Sequence, residues 1–406
     1  MREHMNRKGF IALTGAASLT AFLAACGGSS SDSGSTAAAT DAQAEGITAE
    51  EAAAGGKFDP ASEPDGTIDI FTWAGYDDSE TDGAPWMWSQ YQDGEYGTKS
   101  PLKFTFLEDD GQALAKVASG YSPDIIHPCI AYTQQWKDAG LIQPVDMSLL
   151  PEFSGIPEAI SAGGIIDGAQ YMVPFDVGFS CLTYDADKID FDNVGGAESW
   201  EILLDDRYKG RMALFSDDAA IIKIGFLINE GAIDPNVQTT EQIAASKETA
   251  LKVKLNLRNY WTSQAETIND FVNGNLDATY TWPDGYWTIK NHPKMKGRNI
   301  KYMQPSQGRL AWVCGTVLSA ATKQPGRATM AMASTNTPQA GADLLDIFQY
   351  ASAQQNGVMD LIKDKALIKA FDIDNPSAWS PPKAWFEAPL PNYKDFVTAG
   401  QEVKAS

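Results

Sequence analysis

Apolar and polar positions along this chain fall into short, repeating units. Ile68-Asp69-Ile70-Phe71 alternates like a strand with one covered face. Lys103-Phe104-Thr105-Phe106-Leu107 is a second strand, and Trp86, Trp88 and Tyr91 between them predict a helix covering the sheet. Gln112 to Ala118 reads as another helix, closed by Gly120. Asp124-Ile125-Ile126 is a short buried strand ended by Pro128. This strand–helix–strand–helix–strand order predicts an α/β fold with a largely parallel sheet and helices on its faces. Ligands of such sheets bind beyond the carboxyl ends of the strands. Trp73, Tyr76 and the segment after Ile126 therefore belong to one rim.

The same pattern continues downstream. Ala213-Leu214-Phe215 is a strand, and Ser216-Asp217-Asp218 suits the capped start of a helix. Ala278 to Trp282 is another strand, ending in Pro283-Asp284-Gly285. Thr337-Pro338 opens a helix whose apolar face is Leu344, Leu345, Phe348 and Ala351, with Gly357 as its stop. No internal repeat is visible.

The N-terminus follows a different pattern. A basic patch, Arg7-Lys8, precedes an apolar run from Phe10 to Ala25 that ends in Leu23-Ala24-Ala25-Cys26. A bilayer core needs about 20 apolar residues, and this run is shorter and contains Thr14, Ser18 and Thr20. The layout is that of a secretory signal. Its ending resembles the lipobox of bacterial lipoproteins, which implies that Cys26 becomes an acylated N-terminus on the outer face of a membrane. Residues 27–65 are rich in Gly, Ser, Ala and acidic residues and read as a flexible tether. Within them Thr48 to Ala54 has the spacing of a transient capped helix. No later apolar run reaches membrane-spanning length, so the sequence does not describe a permease.

Charge narrows the partners. The 406 residues carry a formal net charge of -22. Residues 1–26 contribute +2, which leaves -24 on the remainder. Such a chain lacks the basic surface that a nucleic-acid backbone requires. An acidic surface keeps a secreted protein soluble, and carboxylates beside a cleft would attract a cation. After Cys26 there remain Cys129, Cys181 and Cys314, enough for one internal disulfide and one leftover thiol. Their spacing matches no metal site, and the favoured reading is three small buried apolar side chains.

Enzyme signatures are missing. The chain has no Gly-x-Ser-x-Gly elbow, phosphate-binding loop or His-Glu-x-x-His. His127 and His292 alone make no metal cluster. A glycoside hydrolase, needing only two carboxylates, leaves no local signature and stays open as an alternative. No cofactor is implied.

Aromatics gather at strand ends instead. Trp73 and Tyr76 follow the first strand, Trp282-Pro283-Asp284-Gly285 follows a later one, and Trp312 sits in Leu310-Ala311-Trp312-Val313-Cys314. An indole face attracts an ammonium, and a carboxylate such as Asp284 adds a charged hydrogen bond. Aromatic platforms suit sugars equally well, so residue chemistry alone defines a ligand rim and no more.

The order of motifs narrows this. Phe71-Thr72-Trp73-Ala74-Gly75-Tyr76, Ser122-Pro123-Asp124-Ile125-Ile126, Gly140 to Asp146, Tyr171 to Gly178, Ser199-Trp200, Lys209-Gly210, Asp217-Asp218 and Trp282-Pro283-Asp284-Gly285 follow one another from about Gly66 to Gly357. Together they resemble the extracellular solute-binding proteins of ABC importers, of the spermidine/putrescine-binding type. The resemblance implies a type II periplasmic-binding-protein-like fold. Each lobe would be a mainly parallel sheet flanked by helices, the two joined by a strand hinge. It divides the chain into a signal at 1–26, a tether at 27–65, a first lobe at 66–178 plus 283–317 and a second at 179–282 plus 318–406. It implies a monomer that captures a polyamine or related small organic amine, anchored to the membrane by lipid alone, with an importer permease as partner. A sugar, an amino acid derivative or a thiamine-like cation is the alternative cargo. Trp73 and Tyr76 would face the ligand from one lobe, and Asp218 would pair with an amine from the other. Trp282 would stack on the methylene chain and Asp284 would pair with a second amine. Cys129, Tyr132 and Trp312 occupy further contact positions. Three positions depart from the family pattern: Ile221 stands for a glutamate, Tyr132 comes one place late after Pro128-Cys129, and Cys314 stands for the aspartate of Trp-x-Asp. These departures imply a ligand less charged or more apolar than a polyamine with two charged ends.

Overall fold

The computed structural model describes residues 48, 50–51, 55–77 and 87–406. The leader with Cys26, most of the tether and Trp86 lie outside them. Three parallel strands begin the fold: β1 (Ile68–Trp73), β2 (Leu102–Leu107) and β3 (Ile125–Ile126), in the order β2-β1-β3. β4 (Met172–Asp185) is buried at all 14 positions. A second parallel set follows in the order β6-β5-β7, from β5 (Met212–Phe215), β6 (Leu257–Trp261) and β7 (Ala278–Thr281). β8 (Ile300–Tyr302) pairs antiparallel with the end of β4. β9 (Arg309–Ser319) runs antiparallel along β4, with Leu310 opposite Ser180 and Val317 opposite Met172, and its far end joins β3. β10 (Ala351–Ser352) pairs with β4 at Val177 and Asp176, and β11 (Ala384–Phe386) runs parallel to the start of β9.

The principal helices are α1 (Asp110–Ala118), α2 (Asp218–Glu230), α3 (Thr240–Asn256), α4 (Gln264–Val272), α5 (Pro283–Asn291), α6 (Pro325–Ser334), α7 (Pro338–Phe348) and α8 (Tyr393–Ala405). Covered on both faces, β4 reads as a continuous run instead of an alternation. β4 and β9 are the long strands shared by two lobes, each with its own core. One core is built on Ile68, Ile70, Trp88, Phe175 and Leu344, with a neighbouring cluster on Phe71, Ile126 and Trp136. The other is built on Trp200, Leu214, Trp261, Tyr286 and Phe371.

This packing redraws the lobe boundaries expected from sequence. Pro283 starts α5 instead of ending a strand, and its Tyr286 and Ile289 enter the second-lobe core. β8 pairs with the second-lobe half of β4, so residues 283–308 stay in that lobe. The chain returns along β9, and Ala328, Met332, Ala340 and Leu344 of α6 and α7 enter the first-lobe core. It crosses again after β10, since Val358, Leu367 and Phe371 belong to the second core. α7 also ends earlier than the apolar spacing predicts. Gln349 takes a left-handed conformation (φ 60°) and Ala351 enters β10.

The expected tether is shorter at its C-terminal end. The Asp146 carboxylate accepts hydrogen bonds from the backbone N–H groups of Gly56, Lys57 and Phe58. Glu63 accepts from Gly326 and Arg327 at the start of α6, and buried Arg327 donates to the carbonyls of Pro60, Glu63 and Pro64. Residues 55–65 are thereby laced onto the first lobe. No described helix is long and apolar enough to cross a membrane.

Candidate ligand-binding site

The strands of both parallel sets end toward the seam between the lobes, and chemistry collects there in two places. At one end, Asp176 lies on β4, buried at 1% exposure. Tyr76, just after β1, donates to its Oδ2 at 2.7 Å. His127, just after β3, places Nε2 3.4 Å from Oδ1, while its Nδ1 lies 2.9 Å from Thr72 Oγ1. Burial, and then the Asp176 charge, pushes the Tyr76 hydroxyl pKa well up. From the second lobe comes Asp284 in the first turn of α5. Gln264 Nε2 donates to both of its carboxylate oxygens, at 3.0 and 2.9 Å, and Tyr350 donates at 3.2 Å. Gln264 Oε1 also accepts from the Trp282 amide at 3.0 Å, so one side chain fixes both residues of the Trp282–Asp284 turn.

At the other end, Asp110 begins α1 and accepts from the Cys129 amide at 3.2 Å. Asp217 caps α2 by accepting from the Ala220 amide at 2.6 Å. Glu387 follows β11, and its carboxylate receives no hydrogen bond from the described residues. These three carboxylates lie within electrostatic reach of one another. Burial is the main cause raising each pKa. The Cys129 amide opposes the shift at Asp110, the Ala220 amide at Asp217 and the Lys223 charge at Glu387. Tyr132 meets Tyr393 edge to face at 5.7 Å beside them.

Two walls join the ends. On the first-lobe side, Cys129 and Cys314 form a disulfide, and Cys314 stands opposite Asp176 in the β9–β4 ladder. That wall therefore runs from Asp176 through the disulfide to Asp110. Cys181 is a free, buried thiol, so the reading of the cysteines as small core side chains fits it alone. On the second-lobe side, Trp282 packs against Phe215 at 5.2 Å and Trp261 at 5.5 Å, and Phe215 leads into Asp217. Trp312 meets Tyr350 edge to face at 4.9 Å and lies over Gly178, where a Cβ would come within 2.3 Å of the indole. Trp73, partly buried at the end of β1, and Trp312 both have indole N–H groups without a partner among the described residues.

Of the residues expected at the site, Trp73, Tyr76, Tyr132, Trp282, Asp284 and Trp312 lie along this seam. Asp218 is differently engaged: its Oδ1 sits 2.8 Å from Lys404 Nζ of α8, so an ammonium of the protein already occupies it. Cys129 offers its backbone to Asp110 and its sulfur to Cys314. Sequence reasoning missed Asp110, Asp176, Gln264, Tyr350 and Glu387. No group of three or more metal-ligating side chains occurs among the described residues. A groove of about 870 Å³ lies elsewhere, on the side of the second lobe lined by Tyr286, Lys290 and Lys301. Its charges are largely spent, with Arg298 on Asp185, Arg309 on Asp372 and Lys369 on Asp374.

Two α/β lobes joined by crossing strands, with acidic and aromatic side chains at their seam, define a two-lobed solute-binding protein of the type II periplasmic kind. The chain belongs to the bacterial extracellular solute-binding proteins, whose family model matches residues 103–370. It is 23% identical over 269 residues to the putrescine-binding periplasmic protein of Escherichia coli, covering 64% of this chain and 70% of that one. It is 23% identical over 206 residues to the spermidine/putrescine-binding periplasmic protein of the same organism, covering 49% and 54%. Its fold matches a putative spermidine/putrescine ABC transporter from Listeria monocytogenes with a TM-score of 0.66 at 16% identity, covering 83% and 98%. The family is one of solute receptors and not an enzyme class, and it works outside the cytoplasm.

Proposed function

We propose that this protein captures a polyamine or related small organic amine between its lobes and delivers it to an ABC importer. The observation that carries this reading is the set of carboxylates Asp110, Asp217 and Glu387 at the seam, within electrostatic reach of one another and served by few protein donors. Like charges drawn into a low-dielectric seam are costly, and an ammonium between them offsets that cost with charge-assisted hydrogen bonds. Trp282, Trp73 and Trp312 supply apolar and cation-attracting faces for the carbon chain. The names of the E. coli relatives point the same way. Capture is by closure of the lobes about the β4 and β9 hinge.

In this reading Cys26 carries the acyl chains that hold the receptor at the outer face of the cell membrane. It acts as a monomer and catalyses no reaction. Tryptophan fluorescence titration of the purified protein tests the cargo, comparing polyamines with neutral sugars. Saturable one-to-one binding of an amine, with the amine recovered unchanged, is the expected result. A response to sugars and to no amine would overturn the reading.

A further inference from the structure

The chain segment 127–132 reaches both ends of the seam. At its start His127 lies beside Asp176, with Nε2 3.4 Å from Oδ1. In its middle the Cys129 amide donates to Asp110 Oδ1 at 3.2 Å, the one hydrogen bond that described residues give that carboxylate. At its end Tyr132 meets Tyr393, at the start of α8, edge to face at 5.7 Å. Backbone pairing holds this segment only loosely. The β3–β9 ladder stops at Ile126 and Val317, and beyond it lies a single bridge between Cys129 and Cys314. Pro128 has no N–H to give, and its carbonyl accepts from the Gly315 amide at 3.2 Å. On the other side of β9 the ladder with β4 slips between Cys314 and Gly315, and such an irregularity interrupts the pairing. The Cys129–Cys314 disulfide crosses at this gap. It ties the segment to β9, a strand that both lobes share.

We propose that this disulfide is a positioning element of the ligand seam, so that solute capture depends on its being oxidised. Outside the cytoplasm the bond persists. Cys129 is its partly exposed member, and Cys314 is buried at 6% exposure. A dithiol protein opens it by thiolate attack on the Cys129 sulfur. The S–S bond breaks, Cys314 leaves as a thiolate and takes up a proton, and a mixed disulfide forms on Cys129. The second thiol of the reductant then displaces Cys129, which also takes up a proton, and the reductant leaves as a disulfide. Two electrons and two protons thereby pass to the cysteine pair. Cys181 does not compete, because it is fully buried and burial raises its thiol pKa. After reduction Ile126, Ile130 and Trp136 still hold the segment in the first-lobe core, so the chain stays folded. What loosens is the position of the Cys129 amide, and with it Asp110. This inference rests on the seam being the solute site and adds a regulation to that reading.

Spermidine serves as the probe. Calorimetric titration of the full chain, oxidised and after reduction by excess dithiothreitol, is expected to show binding at least about tenfold weaker in the reduced form, the worth of one charge-assisted hydrogen bond. Circular dichroism is expected to show the same folded state in both. Linkage makes the effect reciprocal. Saturating spermidine therefore shifts the thiol–disulfide equilibrium against dithiothreitol by the same factor, about 30 mV for a tenfold change. A bond that only stabilises the fold gives neither effect. The double variant Cys129→Ser with Cys314→Ser should bind as the reduced form does and no longer respond to dithiothreitol; if it fails to fold, the reduced chain decides. Equal affinity in the two forms, or a bond that dithiothreitol leaves closed in the folded chain, would overturn the inference and leave the amine reading standing. Loss of the folded state on reduction would overturn it too, because the bond then serves the fold as a whole. Binding by neither form would remove the amine reading and this inference with it.

Discussion

The two ends of the seam use the same residue types in opposite ways. At the Asp176–Asp284 end, every carboxylate oxygen meets a protein donor or the His127 ring: Tyr76, His127, Gln264 and Tyr350 share the work. At the Asp110–Asp217–Glu387 end, one backbone amide serves Asp110, one serves Asp217 and none serves Glu387. A satisfied polar network fixes geometry. An unsatisfied one is held in place by the fold around it and gains most from a ligand. In the proposed reading the first end sets how the lobes and aromatic walls are placed, and the second end receives the cation.

Substitutions sharpen this contrast. The largest effect is expected from Asp176→Ala, which removes the acceptor of Tyr76 and the carboxylate beside His127. It should cost about 3 kcal/mol of folding stability in a denaturant titration. Glu387→Gln should cost no stability and instead weaken amine binding by about 2 kcal/mol, roughly thirtyfold. Should Glu387→Gln unfold the protein while Asp176→Ala leaves it intact, the roles of the two ends are reversed. Trp282→Ala comes next, with about 1 kcal/mol of affinity lost and the carboxylate contacts kept, read by calorimetry.

The smallest effect is on pH dependence. Burial raises the carboxyl pKa values of Asp110, Asp217 and Glu387 in the folded chain. These groups keep their protons to higher pH when folded than when unfolded. Their contribution to stability is full below the ordinary carboxyl range and is lost as pH rises through the raised values. A bound ammonium favours the ionised carboxylates, so the stabilisation by ligand grows over the same interval. Thermal melts of free and amine-saturated protein from pH 4 to about pH 7 check this. A gap between the two melting curves that narrows with rising pH would contradict it.

Much of the fold was legible because the strand and helix periods are strong. β1, β2, β5 and β7 lie where alternation places them, and Asp217 caps α2 as its composition suggests. The second crossing was misplaced for a local reason: Trp282-Pro283-Asp284 reads as a turn, and Pro283 instead opens a helix that stays in the second lobe. Along the seam, Trp73, Tyr76, Trp282 and Asp284 were legible because each lies in a compact motif at a strand end. Asp110 and Glu387 were not, because one looks like an ordinary helix start, the other like an exposed loop acid, and only the tertiary fold brings them together. Asp176 did leave a signal. It is a lone charge inside an apolar run, Met172 to Phe179, where an ionisable side chain needs a partner. The disulfide needed the antiparallel β9–β3 pairing, continued by a bridge at Cys129 and Cys314, to bring the two cysteines together.

A crystal structure of the protein with a bound amine tests the central claim most directly. The account predicts an ammonium nitrogen about 3 Å from carboxylate oxygens of Asp217 and Glu387, with its carbon chain against Trp282. An amine seated between Asp176 and Asp284, with the Asp110–Asp217–Glu387 end holding only water, would contradict it.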